Sequence, residues 1–219
     1  MSAVVTPFVA WPDGLVLVLA SRSPRRAELL AVAGMPFEVH PAGDVEADLA
    51  ARLNGDRAAV APAIYAETLA LAKARDVAAS RPGRLVLGAD TVVILDDDVL
   101  EKPVDEADAR RLLRRLAGRR HTVVTAVALV GGAAGDDGVT GHESTAVEFL
   151  PLADDAIRRY VDTGEPMDKA GAYGIQGYGA LMIRRVEGCY FNVMGLPLAR
   201  LGGMLRRVFG PGRSAADTV

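Results

Sequence analysis

Three stretches of the chain place charged or polar side chains where they are costly unless something binds them. In SRSPRRAELL, Arg25 and Arg26 fall in the first turn of a helix that Ser23 as N-cap and Pro24 at the first helical position announce. Cations there oppose the helix dipole, by roughly a few tenths of a kcal/mol or more. A bound phosphate reverses the sign, because free amides, dipole and guanidinium groups then act together. A solvated arginine pair is the plainer alternative. In LVLGADTVVIL, Asp90 interrupts an apolar run, which is unfavourable unless the carboxylate is paired, hydrogen-bonded or on a metal. Gly88 leaves room for close approach, so Asp90 is a candidate metal ligand or general base; an aspartate on the polar face of a half-exposed strand is the alternative. The turn that follows leads into LEKP, and a hairpin can return Lys102 toward Asp90, a combination suited to phosphoryl chemistry. In GEPMDKAGAYGIQGYGA, glycines let backbone approach a ligand, Lys169 offers charge, and Gln176 offers a donor and an acceptor on one planar edge. Turn formation explains this last segment equally well, and Tyr173 and Tyr178 can stack on a ligand or simply pack.

The basic residues carry a further hint. Of 25, only Lys73, Lys102 and Lys169 are lysines, and all three lie in motifs. A chain that uses arginine nearly everywhere keeps a compact ammonium where phosphate or a base needs one, unless genome composition alone set the bias.

The elements that must position these groups follow from periodicity and punctuation. Residues 1–14 read as a flexible tail, 15–209 as one domain, and 210–219 as a frayed end. Leu15–Ala20 has the continuous apolar character of a strand buried on both faces, and Pro24–Ala33 is a helix stopped by Gly34. A short strand at Phe37–His40 and an Ala-rich helix at Ala63–Ala79 lead to strand Leu85–Leu95, which turns at Asp96–Asp98 and returns through Val99–Lys102. Asp105–Ala117 is a helix, Thr122–Val130 and Glu143–Leu150 are expected to pair antiparallel, and Asp154–Thr163 is a helix. Leu181–Arg185 and Gly188–Asn192 suggest a hairpin before a last helix at Pro197–Phe209. The order mixes strands and helices without strict alternation, which predicts an α/β fold on a mixed sheet.

Several classes are disfavoured. A net charge of −3 gives no general basic field for nucleic acid or a membrane surface. The arginines between Arg110 and Arg120 face away from Leu112, Leu113 and Leu116, the pattern of a solvated amphipathic helix. Cys189 is alone, the three histidines form no visible constellation, and Asp96–Asp98 reads as a solvated turn. No apolar run approaches the ~18–20 residues of a membrane span, and the N-terminus lacks the pattern of a leader, so a soluble cytoplasmic protein is expected.

Five motifs in order carry a resemblance: SRSPRRAELL at Ser21–Leu30, LGADTVVI at Leu87–Ile94, LEKP at Leu100–Pro103, DKAGAYGIQGYGA at Asp168–Ala180 and NVMGLPL at Asn192–Leu198. Together they resemble the Maf family of nucleotide pyrophosphatases. The resemblance implies a mixed twisted sheet with flanking helices and two lobes around a cleft, similar to the inosine triphosphate pyrophosphatase fold. It implies a nucleoside triphosphate substrate, a divalent cation (Mg²⁺ or Mn²⁺), a link to septum formation, and a homodimer as the candidate assembly. By motif position, Asp90 matches the general base, and Ser21, Arg26, Lys73, Lys102 and Lys169 match residues around the triphosphate. Arg25, Thr91 and Gln176 match positions that mark the branch acting on dTTP and UTP. Asp90 and Glu46 are the metal candidates, although Glu46 is followed by Ala47 where the family often has paired acids. A pyrophosphatase for 7-methyl-GTP or other modified nucleotides, and a nucleotide-sensing cell-division regulator, are the competing readings.

Overall fold

The computed structural model describes residues 7–45, 49 and 60–210, so Glu46 lies outside the described residues. The fold is mixed α/β, with seven strands in one sheet of order β2-β1-β3-β5-β6-β7 and β4 paired to β3. The strands are β1 (Leu17–Leu19), β2 (Phe37–Val39), β3 (Val86–Leu95), β4 (Asp98–Leu100), β5 (Arg120–Val130), β6 (Val139–Phe149) and β7 (Ile183–Glu187). The helices are α1 (Pro24–Val32), α2 (Pro62–Ser80), α3 (Glu106–Leu116), α4 (Asp154–Val161), α5 (Tyr190–Met194) and α6 (Leu198–Phe209). Both sheet-pairings of β1, with β2 and β3, are parallel, whereas β3–β4 and β6–β7 are antiparallel. Among the described residues no helix is long and apolar enough to cross a membrane.

The chain divides into two compact units. The first comprises residues 1–90, 126–142 and 196–219. Its centre is β1, whose three residues are all fully buried, as a strand flanked on both sides must be. Leaving β1, the chain crosses through α1 to β2 on one side and through α2 to β3 on the other. Strand order therefore reverses at β1, and the carboxyl end of such a strand is where open α/β sheets bind ligands. Of the segment expected to be a tail, Val9 is buried, Trp11 packs edge-on against Phe209 with ring centroids 5.7 Å apart, and Arg206 donates to the Phe8 carbonyl.

The second unit comprises residues 91–125 and 143–195. Leu112, Leu113 and Leu116 of α3 and Ile157, Tyr160 and Val161 of α4 form its core together with Val93, Phe149 and Tyr173. The exposed face of α3 carries Arg110, Arg111, Arg114 and Arg115, paired to Glu106, Asp108, Asp154 and Asp98. Arg119 donates twice to Asp96 at 2.6 and 2.7 Å. In these pairings the arginines balance nearby surface acids.

The expected hairpin over Leu181–Arg185 and Gly188–Asn192 is replaced by a different arrangement. Leu181 and Met182 complete a 3₁₀ segment, Gly177–Met182; the strand runs Ile183–Glu187, and Tyr190–Met194 is helical. The helix forms because Asn192 is turned inward to a fully buried position and Gly195, at φ 108°, ends it in a left-handed conformation.

Candidate active site

At the first strand-to-helix corner, Ala20 still belongs to the sheet, its N–H donating to the Leu87 carbonyl at 2.8 Å. Ser21 then leaves the sheet, almost buried, and its hydroxyl oxygen accepts from the Ser23 amide (3.2 Å) and from Arg26 Nη1 (3.0 Å). Ser23 is the N-cap by position, but its side chain makes no capping bond; the Ser21 hydroxyl closes the corner instead. Two of the expected phosphate residues, Ser21 and Arg26, are thus brought together. With Pro24 at the start and no acid in the first turn of α1, the positive end of the helix and the cations Arg25 and Arg26 act in one direction. The corner suits a polyanion.

The register that ties Ala20 to Leu87 places this corner level with Gly88 and Ala89, immediately before Asp90 on β3. Gly88 and Asp90 share one face of that strand, and the face is pressed against α2. A Cβ built on Gly88 would lie 2.1 Å from the Ala70 carbonyl and 2.9 Å from the Ala74 amide. Ala66, Ala70 and Ala74, each fully buried, form the small-residue stripe that permits this approach. Lys73 sits one residue before Ala74, and its ammonium reaches Asp90 Oδ1 at 2.7 Å. Side-chain exposures of 14% for Lys73 and 11% for Asp90 leave both partly accessible. The sequence reading turned Lys102 toward Asp90; the lysine that the structure pairs with it is Lys73. The Gly88-x-Asp90 spacing, set against an alanine stripe that ends beside a lysine, was the available signal.

In the second unit, the other face of β3 carries Thr91 and Val93. Thr91 Oγ1 lies 3.0 Å from Thr125 Oγ1, and Thr125 Oγ1 donates its single proton to the Asn192 carbonyl at 2.8 Å. Thr91 must therefore be the donor to Thr125. Asn192 secures the arrangement: its Oδ1 accepts from the Thr125 amide, and its Nδ2 donates to the Val123 carbonyl and Thr145 Oγ1, each at 2.9 Å. The sequence reading matched Asn192 only as part of a motif and gave it no role.

Gly171, at φ 69°, sits against the side chain of Val93, and its amide donates to the Glu101 carbonyl at 3.0 Å. That bond joins the glycine-rich segment to the LEKP stretch, where Lys102 is exposed. Lys169 is held with its ammonium on Asp168 (2.6 Å) and on the Glu165 carbonyl; Gln176 is exposed. Of the two tyrosines, Tyr173 packs, bonded to buried His121 at 2.7 Å and set edge-on against Phe149, while Tyr178 is exposed. His121 lies in an apolar setting, and desolvation lowers its pKa to about 4, so it is neutral at physiological pH. The other histidines bond elsewhere, His40 with Arg81 and His142 with Glu67. Among the described residues no three His, Cys, Asp or Glu side chains gather as a metal cage. Asp90 alone still fits a hard divalent cation of the kind that takes one or two protein carboxylates and draws its other oxygens from phosphates and water.

Comparison with known proteins identifies a family. The family described as Maf-like protein matches residues 16–208. The dTTP/UTP pyrophosphatase of Symbiobacterium thermophilum is 52% identical over 190 residues, covering 86% of this chain and 92% of that protein. The dTTP/UTP pyrophosphatase of Moorella thermoacetica is 52% identical over 194 residues, covering 89% of this chain and 95% of that protein. Among solved structures, a HAM1 protein from Coxiella burnetii is similar at 17% identity and a TM-score of 0.42, over 77% of this chain and 80% of that one.

Proposed function

The chain belongs to the Maf-like protein family, and from that membership and the site's geometry we propose that it hydrolyses dTTP and UTP to the nucleoside monophosphate and pyrophosphate. The observation that carries the proposal is the Lys73–Asp90 ion pair, 2.7 Å long, on a strand whose neighbour ends in the Ser21–Arg26 corner. A carboxylate placed within an apolar strand and beside a phosphate-seeking helix terminus is positioned for water activation at a polyanion.

In this mechanism the triphosphate lies against Arg26 and the α1 terminus; Lys102 and Lys169 are assigned to it by their motif positions alone. Asp90 orients a water molecule and takes its proton while the water oxygen bonds to the α-phosphorus. The bond from the α-phosphorus to the bridging oxygen breaks, and pyrophosphate leaves with the electron pair. Lys73 holds the Asp90 carboxylate in place and compensates its charge. Asp90 would hold Mg²⁺ or Mn²⁺, whose role is to neutralise charge on the phosphates. By motif position, Arg25, Thr91 and Gln176 are the residues assigned to base selection. Held in one orientation, the amide of Gln176 sets a donor beside an acceptor, the complement of the O4 and N3–H edge of uracil and thymine.

Turnover of dTTP, UTP, CTP, ATP and 7-methyl-GTP with Mg²⁺ or Mn²⁺, scored for pyrophosphate, tests the activity. The expected result is pyrophosphate from dTTP and UTP in preference to the others. Orthophosphate as the product would place attack at the γ-phosphorus and refute the mechanism; a preference for 7-methyl-GTP would move the chain to the modified-nucleotide class. Tight nucleotide binding without turnover would instead support a sensor.

A further inference from the structure

We propose that Glu165 is a positioning residue for base selection: its carboxylate sets the backbone that carries Gln176, and Tyr160 sets the carboxylate. The inference rests on the reading above, in which Gln176 meets the base, and goes beyond it by naming what holds Gln176.

Glu165 opens a 3₁₀ turn, Glu165–Asp168, at the start of the glycine-rich segment. Its Oε2 accepts from the Tyr178 amide at 3.0 Å, and its Oε1 accepts from the Gly179 amide at 3.0 Å and from the Tyr160 hydroxyl at 2.9 Å. Two consecutive amides on one carboxylate form a small anion nest, here occupied by a side chain from the same unit. The Tyr160 oxygen also accepts from the Gly174 amide at 3.2 Å. Gln176 stands between these anchors, with Gly174 tied to Tyr160 on one side and Tyr178 and Gly179 tied to Glu165 on the other. Backbone glycines make the closure possible. A Cβ on Gly177, at φ 69°, would lie 2.5 Å from Glu165 Oε2, and one on Gly179 would lie 2.2 Å from the Gly174 carbonyl.

The same residue also fixes the lysine of this segment. The Glu165 carbonyl accepts from the Lys169 ammonium, whose stem passes 3.1 Å from where a Gly174 Cβ would be. One acidic residue thus ties together the cation expected at the phosphates and the amide expected at the base. Tyr160 is suited to its part: burial and the neighbouring Glu165 carboxylate raise its pKa, so the hydroxyl keeps its proton and donates it. Other acids on this segment do different work, since Asp168 pairs with Lys169. Selection of a base by a planar amide requires the amide to be held to within about 0.5 Å and 10–20°. An exposed glutamine in a glycine-rich turn cannot hold itself so closely.

The test compares Glu165→Gln, Tyr160→Phe and Gln176→Ala with the unchanged protein, using kcat and KM for dTTP and dCTP and thermal unfolding of each variant. Glu165→Gln keeps size but turns an NH₂ toward a backbone N–H, so at least one amide loses its acceptor. The expected result is a KM for dTTP raised roughly tenfold with kcat changed by less than about threefold, and a dTTP-to-dCTP preference lowered roughly tenfold. Tyr160→Phe, which removes one donor without changing charge, should shift the same two quantities in the same direction by a smaller factor. If Gln176→Ala lowers the preference while Glu165→Gln, folded, keeps the wild-type KM and preference, the positioning role is refuted. Should Glu165→Gln not fold, Tyr160→Phe decides, and wild-type selectivity there overturns the proposal. A kcat loss with unchanged base preference in either variant would assign Glu165 a merely structural role. If Gln176→Ala itself leaves base preference unchanged, the base-reading assignment fails instead.

Discussion

Gly88→Ala is the smallest perturbation that reaches the proposed reactive carboxylate, and its effect can be worked from distances. The new methyl carbon would start 2.1 Å from the Ala70 carbonyl oxygen and 3.0 Å from the Ala74 Cβ. A tolerable carbon–oxygen approach is about 3.3 Å, so α2 must retreat by about 1.2 Å. Because the clash is with helix backbone, no rotamer change relieves it. Overpacking of this kind costs roughly 1–3 kcal/mol, and at about 2–4 °C per kcal/mol in a chain of this size the midpoint should fall by about 2–12 °C. The same retreat carries Lys73, one residue before Ala74, away from Asp90, stretching a 2.7 Å ion pair toward the limit of contact. A displacement near 1 Å at a reacting group lowers kcat by about tenfold to a hundredfold. The assay pairs thermal unfolding with steady-state release of pyrophosphate from dTTP. A variant within about 1 °C of wild type with unchanged kcat would refute the view that Gly88 exists to let α2 and Asp90 meet.

Further predictions follow from individual contacts. Asp97→Gly relieves a non-glycine residue at φ 67° in the β3–β4 turn and should raise stability by about 0.5–1 kcal/mol, read as a higher unfolding midpoint. His121 is depressed from 6.5 to about 4 in the folded state, so as pH falls between those values the unfolded chain takes up a proton that the folded chain refuses, and stability drops by about 3 kcal/mol. His121→Gln should flatten denaturant midpoints over pH 6.5 to 4, and an unchanged slope would clear His121 of that role. Thr125→Val removes the hydrogen bonds of the Thr125 hydroxyl to the Asn192 carbonyl and to Thr91 and should cost about 1–3 kcal/mol in denaturant unfolding, whereas Thr125→Ser, which keeps both, should cost less.

The charged positions that mattered were legible where their cost was local. Asp90 inside an apolar run, and two arginines at a helix start, signal a binding site without any knowledge of packing. The pairing of Asp90 with Lys73 was not legible, because it depends on α2 docking across Gly88, a contact between elements far apart in the chain. The turn to Lys102 was the nearest local alternative and was preferred for that reason. Tyr190–Met194 was open to either reading, since a short apolar run fits strand or helix; the choice is made by Asn192, whose partners Val123, Thr125 and Thr145 lie on other strands. Glu165 carries no signal in the sequence, because the Tyr178 and Gly179 groups that it binds are backbone amides, and amides carry no residue signature.

The central claim is that water held by Asp90 attacks the α-phosphorus, and hydrolysis of dTTP in ¹⁸O-labelled water examines it most directly. Mass spectrometry of the products should find one ¹⁸O in dTMP and none in pyrophosphate, with Asp90→Asn folded but slower by about a hundredfold or more. Label in pyrophosphate, or an Asp90→Asn variant that turns over at the wild-type rate, would contradict the account.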